Sequence, residues 1–265
     1  MSLDKPQGSD YVVWLLQAVL LDLGDTLIHL DRPWDEVLHA NLEAIYNYLT
    51  KLGLRLDFEK FAETFMRVFE DASAKADLYK IEIPMQDILA KVLRKSRLEV
   101  LGVDLIQNAM TEFYRPEIEA WQLYPDSINT LTALRAERFK MGLISNAKSD
   151  WAVHAILQRL DIQKFFDVVV TSAQLRIRKP RPDIFNRALT ALKTKPPEAV
   201  FVGDSLEADI IGARSLGMKS IHVCRRPVEG PKPVGSGADV SSLTEALKQI
   251  TAWNNGSMRT VEKHS

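Results

Sequence analysis

Five short apolar segments, each bounded by polar residues, constrain the fold of this chain more than any other feature. They cover residues 18–21, 141–144, 167–170, 199–202 and 220–223. Their length and nearly continuous apolar character are typical of strands that are buried on both faces of a sheet. Helical patterns precede or separate the last four, at residues 127–138, 151–160, 182–192 and 206–216. This alternation predicts an α/β fold with a doubly wound parallel sheet.

The stretch between the first two predicted strands breaks this rhythm. It shows only helical periodicity, at residues 34–52, 58–78, 85–98 and 105–121, with Gly53, Pro84 and Gly102 marking the breaks. We therefore predict an inserted all-helical cap domain at residues 33–120, on a core domain formed by residues 11–32 and 121–253. A Pro/Gly-rich loop at 227–237 precedes a last helix at 242–251, and residues 1–10 and 254–265 are expected to be flexible.

Composition excludes several classes of partner and compartment. The chain has 34 basic and 35 acidic residues and a net charge of -1, so it has no general attraction to nucleic acid or to an anionic membrane. Its single cysteine, Cys224, cannot form an intrachain disulfide, which suits a reducing cytosol. The longest apolar run, residues 11–21, is shorter than the about 20 residues that a membrane span requires. We expect a cytoplasmic protein with a small-molecule partner, and the oligomeric state stays open.

Polar side chains follow four of the predicted strands. Asp22, Ser145, Thr171 and Asp204 stand at or next to the ends of apolar runs. A single such residue is often only a helix cap, but the carboxyl ends of parallel strands share one edge, where ligands bind at the reversal of strand order. Two carboxylates that converge there repel each other unless a cation lies between them, and hard oxygen ligands suit Mg²⁺. The sequence therefore predicts a magnesium site at Asp22 and Asp204.

A basic residue stands between these motifs in the chain. Arg178 and Lys179 precede Pro180, and together with Pro182 this proline fixes an extended turn. The turn limits where the basic side chains can point. Lys179 is thus a candidate to neutralise both a carboxylate and a bound phosphate.

Four ordered motifs resemble those of the haloacid dehalogenase superfamily. They are Asp22-Leu-Gly-Asp-Thr-Leu27, Leu143-Ile-Ser-Asn146, Arg178-Lys-Pro180 and Gly203-Asp-Ser-Leu-Glu-Ala-Asp209. The resemblance covers about residues 17–225 and implies a Rossmann-like core, and the helical block is similar to the family's cap between the first two motifs. It implies a hydrolase, in most branches a phosphatase that acts on a small phosphorylated substrate.

The resemblance also implies a role for each matching residue. Asp22 would be the nucleophile that forms an aspartyl-phosphate, a covalent strategy open to carboxylates, and Lys179 would hold it and offset developing charge. Thr26 and Ser145 would hydrogen-bond the phosphoryl oxygens, with Asn146 nearby. Mg²⁺ would be bound by Asp22, the Gly24 carbonyl and Asp204, with Asp209 acting behind them or through water.

Gly24 departs from the family's phosphatase pattern. Phosphatases of this family usually carry an aspartate two residues after the nucleophile as the general acid and base, whereas here the next aspartate is Asp25. Glycine permits unusual backbone angles that would let Asp25 take the role, and otherwise Asp25 only caps its loop. Loss of general acid and base catalysis costs about 10²- to 10⁴-fold in rate. The sequence thus predicts a preference for acyl or aryl phosphates, which have good leaving groups.

Two other functions are compatible with these motifs. A metal-free haloacid dehalogenase also lacks the second aspartate, although extra carboxylates would not favour an anionic substrate there. A regulatory or binding protein with little turnover would likewise explain Gly24. His29, Asp31 and Arg32 lie near the predicted hinge and are candidates to contact the leaving group.

Overall fold

A computed structural model describes residues 15–96, 103–225 and 238–262 of the chain. The strands are β1 (Ala18–Leu21), β2 (Ile28–Leu30), β3 (Trp121–Leu123), β4 (Lys140–Ser145), β5 (Val168–Thr171), β6 (Ala199–Gly203), β7 (Lys219–Val223) and β8 (Ala238–Val240). The helices are α1 (Trp34–Lys51), α2 (Phe58–Tyr79), α3 (Met85–Lys95), α4 (Val103–Ala120), α5 (Ser127–Ala136), α6 (Asp150–Arg159), α7 (Ser172–Leu175), α8 (Pro182–Leu192), α9 (Gly212–Ser215) and α10 (Leu243–Glu262). Short 3₁₀ turns at Gln163–Phe165 and Pro196–Glu198 and a π-helical segment at Leu206–Ile211 complete the described elements.

Six strands form one parallel sheet in the order β5-β4-β1-β6-β7-β8. This confirms the α/β fold, and all five predicted strands are present. Strand β1 lies between β4 and β6, so the strand order reverses beside it. Its side chains alternate between two apolar clusters, with Val19 and Leu21 on one face and Ala18 and Leu20 on the other. Burial on both faces explains why β1 reads as a continuous apolar run.

The predicted helical block consists of α1 to α4, as expected. These helices bury their own apolar cluster, which includes Ile45, Phe61, Phe65, Val92 and Phe113. The cluster also includes Ala152 of α6, and the division into a core and a cap stays a prediction. Beyond Lys95 the predicted third helix, including Leu98, runs outside the described residues.

A two-stranded antiparallel sheet, which the sequence did not predict, joins the chain where it enters and leaves the helical block. Strand β2 pairs with β3, with Ile28 opposite Leu123. Each strand has only three residues, too few for a period-2 pattern. The pairing brings Trp121, the first residue after α4, next to the loop that follows β1.

The cap also contacts the core through its α2–α3 loop. Backbone amides of Glu82 and Arg178 donate to the carbonyls of Arg176 (3.1 Å) and Lys80 (3.2 Å), and Met85 N donates to the Lys148 carbonyl (2.8 Å). The loop therefore pairs with the segment that leads into Lys179.

Two helical predictions need correction. The predicted helix at 206–216 is a π-helical segment followed by α9, because Asp209 is drawn back to the strand end, where its Oδ2 accepts from the Ser205 amide (3.0 Å). The last helix extends past its predicted end at residue 251 to Glu262, and the flexibility of residues 254–265 stays a prediction. Asn254 fixes this part of the helix, since its Oδ1 accepts from the Leu16 amide (3.2 Å) next to β1. Residues 1–10, 263–265 and the whole predicted Pro/Gly-rich loop at 227–237 lie outside the described residues.

In the part of the chain that the structure describes, every helix is too short or too polar to cross a membrane.

Candidate active site

Three carboxylates meet at the carboxyl ends of β1 and β6. Asp22 follows β1, Asp204 follows β6, and Asp209 lies in the π-helical segment. Each offers a carboxylate oxygen, and these oxygens lie within 4.8 Å of one another. The structure therefore brings Asp22 and Asp204 together, as the positions of their strands predicted.

Lys179 supplies the positive charge between two of these acids. Its Nζ lies 2.6 Å from Asp22 Oδ1 and 2.7 Å from Asp209 Oδ1, and it donates to the Ile144 carbonyl (2.8 Å). The residue is 3% exposed. Burial acts to lower the pKa of Lys179, but the two carboxylates outweigh it and raise that pKa above its ordinary value. The ammonium group is thus held charged beside Asp22.

Asn146 positions Lys179. Its Oδ1 accepts from the Lys179 amide (2.9 Å) and its Nδ2 donates to the Lys179 carbonyl (3.1 Å). The prediction placed Asn146 near the phosphoryl group, and the residue does line the cavity described below. Both ends of its amide group, however, hold the backbone of Lys179.

Two of the three acids, Asp204 and Asp209, have raised pKa values. Burial, followed by repulsion from Asp22, Asp209 and Asp25, raises the pKa of Asp204 to about 7. Burial and Asp22 raise the pKa of Asp209 to about 6, although Lys179 acts in the opposite direction. A divalent cation would relieve this repulsion, and the carboxylate oxygens are the ligand type that Mg²⁺ prefers. The donor set therefore fits a magnesium ion.

The other predicted site residues lie around this cluster. Thr26 is fully buried and its Oγ1 donates to Asp204 Oδ1 (3.3 Å). Ser145 ends β4 and lines the same cavity as Asp22, as do Gly24 and Asp25. Asp25 is exposed and has a left-handed backbone, with φ of 53°. Its charge is one of those that raise the pKa of Asp204, so it lies near the acids, and its role as acid and base stays a prediction.

Gly24 lies against Trp121. A Cβ atom built on Gly24 would be 3.5 Å from Cη2 of the Trp121 side chain, an ordinary van der Waals contact. Space therefore does not require glycine at this position.

A cavity of about 460 Å³ extends from the acids to the helical block. Its wall on that side is mainly apolar and aromatic, and its lining there includes Trp34, Phe69, Met85, Tyr114, Glu117 and Trp121. We call this surface the cap wall. The hinge candidates His29, Asp31 and Arg32 are not among the lining residues.

Glu117 on α4 is a residue of the cap wall that the sequence analysis missed. Its Oε2 accepts from Nδ2 of Asn41 on α1 (3.2 Å). Burial raises the pKa of Glu117 from 4.5 to about 7, although the neighbouring side chains of Trp121 and Asn41 act to lower it. The available signal was a charged residue at the i+4 position from Phe113 and the i+3 position from Tyr114, within an apolar helical face.

Several other residues that sequence analysis missed hold the site loops in place. His222 Nε2 lies 2.8 Å from the Asp204 carbonyl oxygen, and its Nδ1 lies 3.2 Å from Asp239 Oδ1. Arg225 donates to the Thr26 carbonyl (2.9 Å) and to Asp126 Oδ1 (3.0 Å). His222 was visible as a polar residue within a predicted buried strand, whereas Arg225 carried no local signal.

The cap is tied to the core by a buried acid. Glu82 accepts from the Ser172 hydroxyl (2.7 Å), and it lies 3.5 Å from Lys148 Nζ and 3.6 Å from Arg178 Nε. Both basic residues line the cavity. Their charges are therefore balanced by an acid behind the cavity wall.

Comparisons with known proteins agree with this geometry. Residues 16–217 match the haloacid dehalogenase-like hydrolase family. Over 226 residues the chain is 30% identical to the glyceraldehyde 3-phosphate phosphatase of Methanopyrus kandleri, covering 83% of this chain and 88% of that protein. The crystal structure of a HAD phosphatase from Thermococcus onnurineus is similar with a TM-score of 0.60 at 25% identity, covering 88% of this chain and 97% of that one. A 2-haloacid dehalogenase from Pseudomonas syringae has a TM-score of 0.66 at 22% identity, over 90% and 100% of the two chains, a likeness in fold.

Proposed function

From the premise that this chain belongs to the haloacid dehalogenase-like hydrolases, we propose that it is a magnesium-dependent phosphatase that acts through a phosphorylated Asp22. The substrate would be a small phosphorylated metabolite. One observation carries the proposal: Asp22, Asp204 and Asp209 converge within 4.8 Å at the sheet edge, and Lys179 contacts two of them. The phosphatase names of its relatives support the same reaction class.

In the first step, a carboxylate oxygen of Asp22 attacks phosphorus as the bond from phosphorus to the leaving oxygen breaks. Lys179 holds the other Asp22 oxygen and offsets charge on the phosphoryl group. Thr26 and Ser145 would donate hydrogen bonds to phosphoryl oxygens. Asp22, Asp204 and the Gly24 carbonyl, with Asp209 behind them, would hold Mg²⁺, which when bound would supply positive charge that stabilises the transferring group.

In the second step, water attacks the phosphorus of phosphorylated Asp22, and the bond from phosphorus to Asp22 breaks. The products are inorganic phosphate and the free carboxylate. In both steps a proton has to move, first to the leaving oxygen and then from the attacking water. Gly24 has no side chain for this, and Asp25 is exposed.

The missing general acid at position 24 should make the rate of hydrolysis depend on the leaving group. Acyl and aryl oxygens leave without prior protonation, whereas alkyl oxygens depend on a general acid. General acid catalysis is worth about 10²- to 10⁴-fold. We therefore expect acyl and aryl phosphates to be hydrolysed faster than alkyl esters by about 10²-fold.

The test measures phosphate release from three substrates with Mg²⁺ and with a chelator. Acetyl phosphate and p-nitrophenyl phosphate represent good leaving groups, and glyceraldehyde 3-phosphate, named for the relatives, represents alkyl esters. We expect release that stops on chelation and is slowest for the alkyl ester. Absence of release from all three would favour the binding protein, and chloride release from a 2-haloacid in the chelator would favour the dehalogenase.

A further inference from the structure

The cap wall carries a charge that the protein itself leaves uncompensated. Glu117 accepts from the neutral amide of Asn41, and within the described residues it forms no ion pair. By contrast, the basic residues that line the cavity are engaged elsewhere: Lys148 and Arg178 contact Glu82, and Lys179 contacts Asp22 and Asp209. A buried carboxylate without a basic partner is costly unless another cation approaches it.

Asn41 has unused hydrogen-bonding capacity beside this carboxylate. It is 0% exposed, and its Oδ1 has no partner among the described residues, while its Nδ2 contacts Glu117. Buried polar atoms in proteins are nearly always paired. The indole Nε1 of Trp121, which lines the cavity with Glu117, is also without a partner among the described residues, so polar groups around Glu117 keep unused hydrogen-bonding capacity.

The surroundings of Glu117 are aromatic. Trp34, Phe69, Tyr114 and Trp121 line the same cavity. Two of them interact electrostatically with Glu117, since Glu117 raises the pKa of Tyr114 after burial does, and Trp121 acts to lower that of Glu117. Aromatic faces attract cations through their quadrupole, most strongly where water is excluded. A carboxylate among aromatic rings is suited to an ammonium group.

We propose that the cap wall is a subsite for an ammonium group, centred on Glu117, and that the substrates are amine-bearing phosphate esters. This rests on the proposed function, because the sheet edge would hold the phosphoryl group while the cap wall holds the other end of the same molecule. The core provides the positive charge that binds a phosphate. The ammonium group of the substrate provides the positive charge that the described residues do not place beside Glu117.

The test is a binding measurement that does not depend on turnover. Isothermal calorimetry with the Asp22→Asn protein and Mg²⁺ compares 2-aminoethyl phosphate with 2-hydroxyethyl phosphate, which has a similar size but no charge at that end. We expect the amine to bind at least about tenfold more tightly. In Asp22→Asn with Glu117→Gln this ratio should fall to about one. The matched control, Asp22→Asn with Glu63→Gln on the exposed face of α2, should keep it.

Equal affinity for the two esters in the Asp22→Asn protein would overturn the subsite, as would an unchanged ratio in the Glu117→Gln variant. The comparison of the two esters needs no substitution in the cap, so it decides the matter even if Glu117→Gln does not fold. Failure of the phosphatase proposal gives a different result, namely no phosphate release from p-nitrophenyl phosphate by the unmodified protein.

Discussion

The sheet edge and the cap wall both present acids to one cavity, but among the described residues only the acids of the sheet edge are paired with a basic residue. At the sheet edge, Lys179 lies 2.6 Å from Asp22 and 2.7 Å from Asp209. At the cap wall, Glu117 is held by the neutral amide of Asn41. We infer that the core carries the residues that transfer the phosphoryl group of any substrate. The cap wall, in contrast, takes its positive charge from the substrate.

The largest expected effect comes from removing the basic residue of the sheet edge, which would leave its acids without a basic partner, as Glu117 is at the cap wall. Lys179→Met removes the cation and leaves Asp22 and Asp209 buried and unpaired, which costs about 3 to 5 kcal/mol in stability. Turnover of p-nitrophenyl phosphate should fall by at least about 10³-fold, because the nucleophile loses the group that holds it. Steady-state kinetics and urea denaturation measure the two effects. Lys60→Met, at an exposed position of α2, is the control, and equal behaviour of the two variants would refute the role of Lys179.

A smaller effect is expected from disturbing the packing of the sheet edge without removing a charge. A Cβ atom at Gly203 would lie 2.8 Å or less from three side-chain atoms of Asp209, so Gly203→Ala must displace that carboxylate. Misplacing a catalytic group by about 1 Å costs about 10²-fold. We expect kcat to fall by this factor and the Mg²⁺ requirement to rise. Unchanged kinetics in a folded variant, verified by circular dichroism, would show that Asp209 is not needed at this position.

Gly24 lies at the boundary of the two regions, because a side chain there would contact Trp121. Gly24→Asp should restore the missing acid and base and raise turnover of alkyl esters about 10- to 10²-fold, with little change for acetyl phosphate. Gly24→Asn has the same shape but cannot transfer a proton, so it should give no gain. If the Asn variant matched the Asp variant, the gain would come from packing rather than from proton transfer.

The smallest effect concerns the stability of the cap wall. Because the pKa of Glu117 in the folded protein is about 7 and its ordinary value is 4.5, folding takes up a proton between these values. The stabilisation is complete at acid pH and is lost as the pH rises through about 7. Glu117→Gln does not titrate, so it does not lose this stabilisation. The free energy of unfolding of the variant, relative to that of the unmodified protein, should therefore be higher at about pH 8 than at about pH 5 by on the order of 2 kcal/mol.

Urea denaturation at the two pH values measures this gain, and Glu63→Gln should show none. A gain of the same size at acid and alkaline pH would mean that the charge of Glu117 is not what destabilises the folded protein.

The two regions also differ in what the sequence revealed. Asp22 and Asp204 are far apart in the chain, yet their meeting was predictable because each follows a strand and parallel strands end at one edge. The cap wall was not predictable, because Asn41 and Glu117 come from different helices, 76 positions apart, whose packing no local pattern specifies.

The sequence analysis did not predict the π-helical segment at the sheet edge, and the reason is local. The π-helical segment exists because Asp209 hydrogen-bonds back to the Ser205 amide, which helical periodicity does not register. Away from the sheet edge, the short β2–β3 pairing was missed because it joins distant parts of the chain, with Ile28 opposite Leu123.

Mapping the phosphorylated residue tests the central claim most directly. The protein is mixed with acetyl phosphate and Mg²⁺, quenched in acid within the first turnover and analysed by peptide mass spectrometry. We predict a single phosphate on Asp22 that hydroxylamine removes, as it removes acyl phosphates, and that is absent from Asp22→Asn and from a sample with chelator. A phosphate on another residue, or phosphate release with no modification of Asp22, would contradict it.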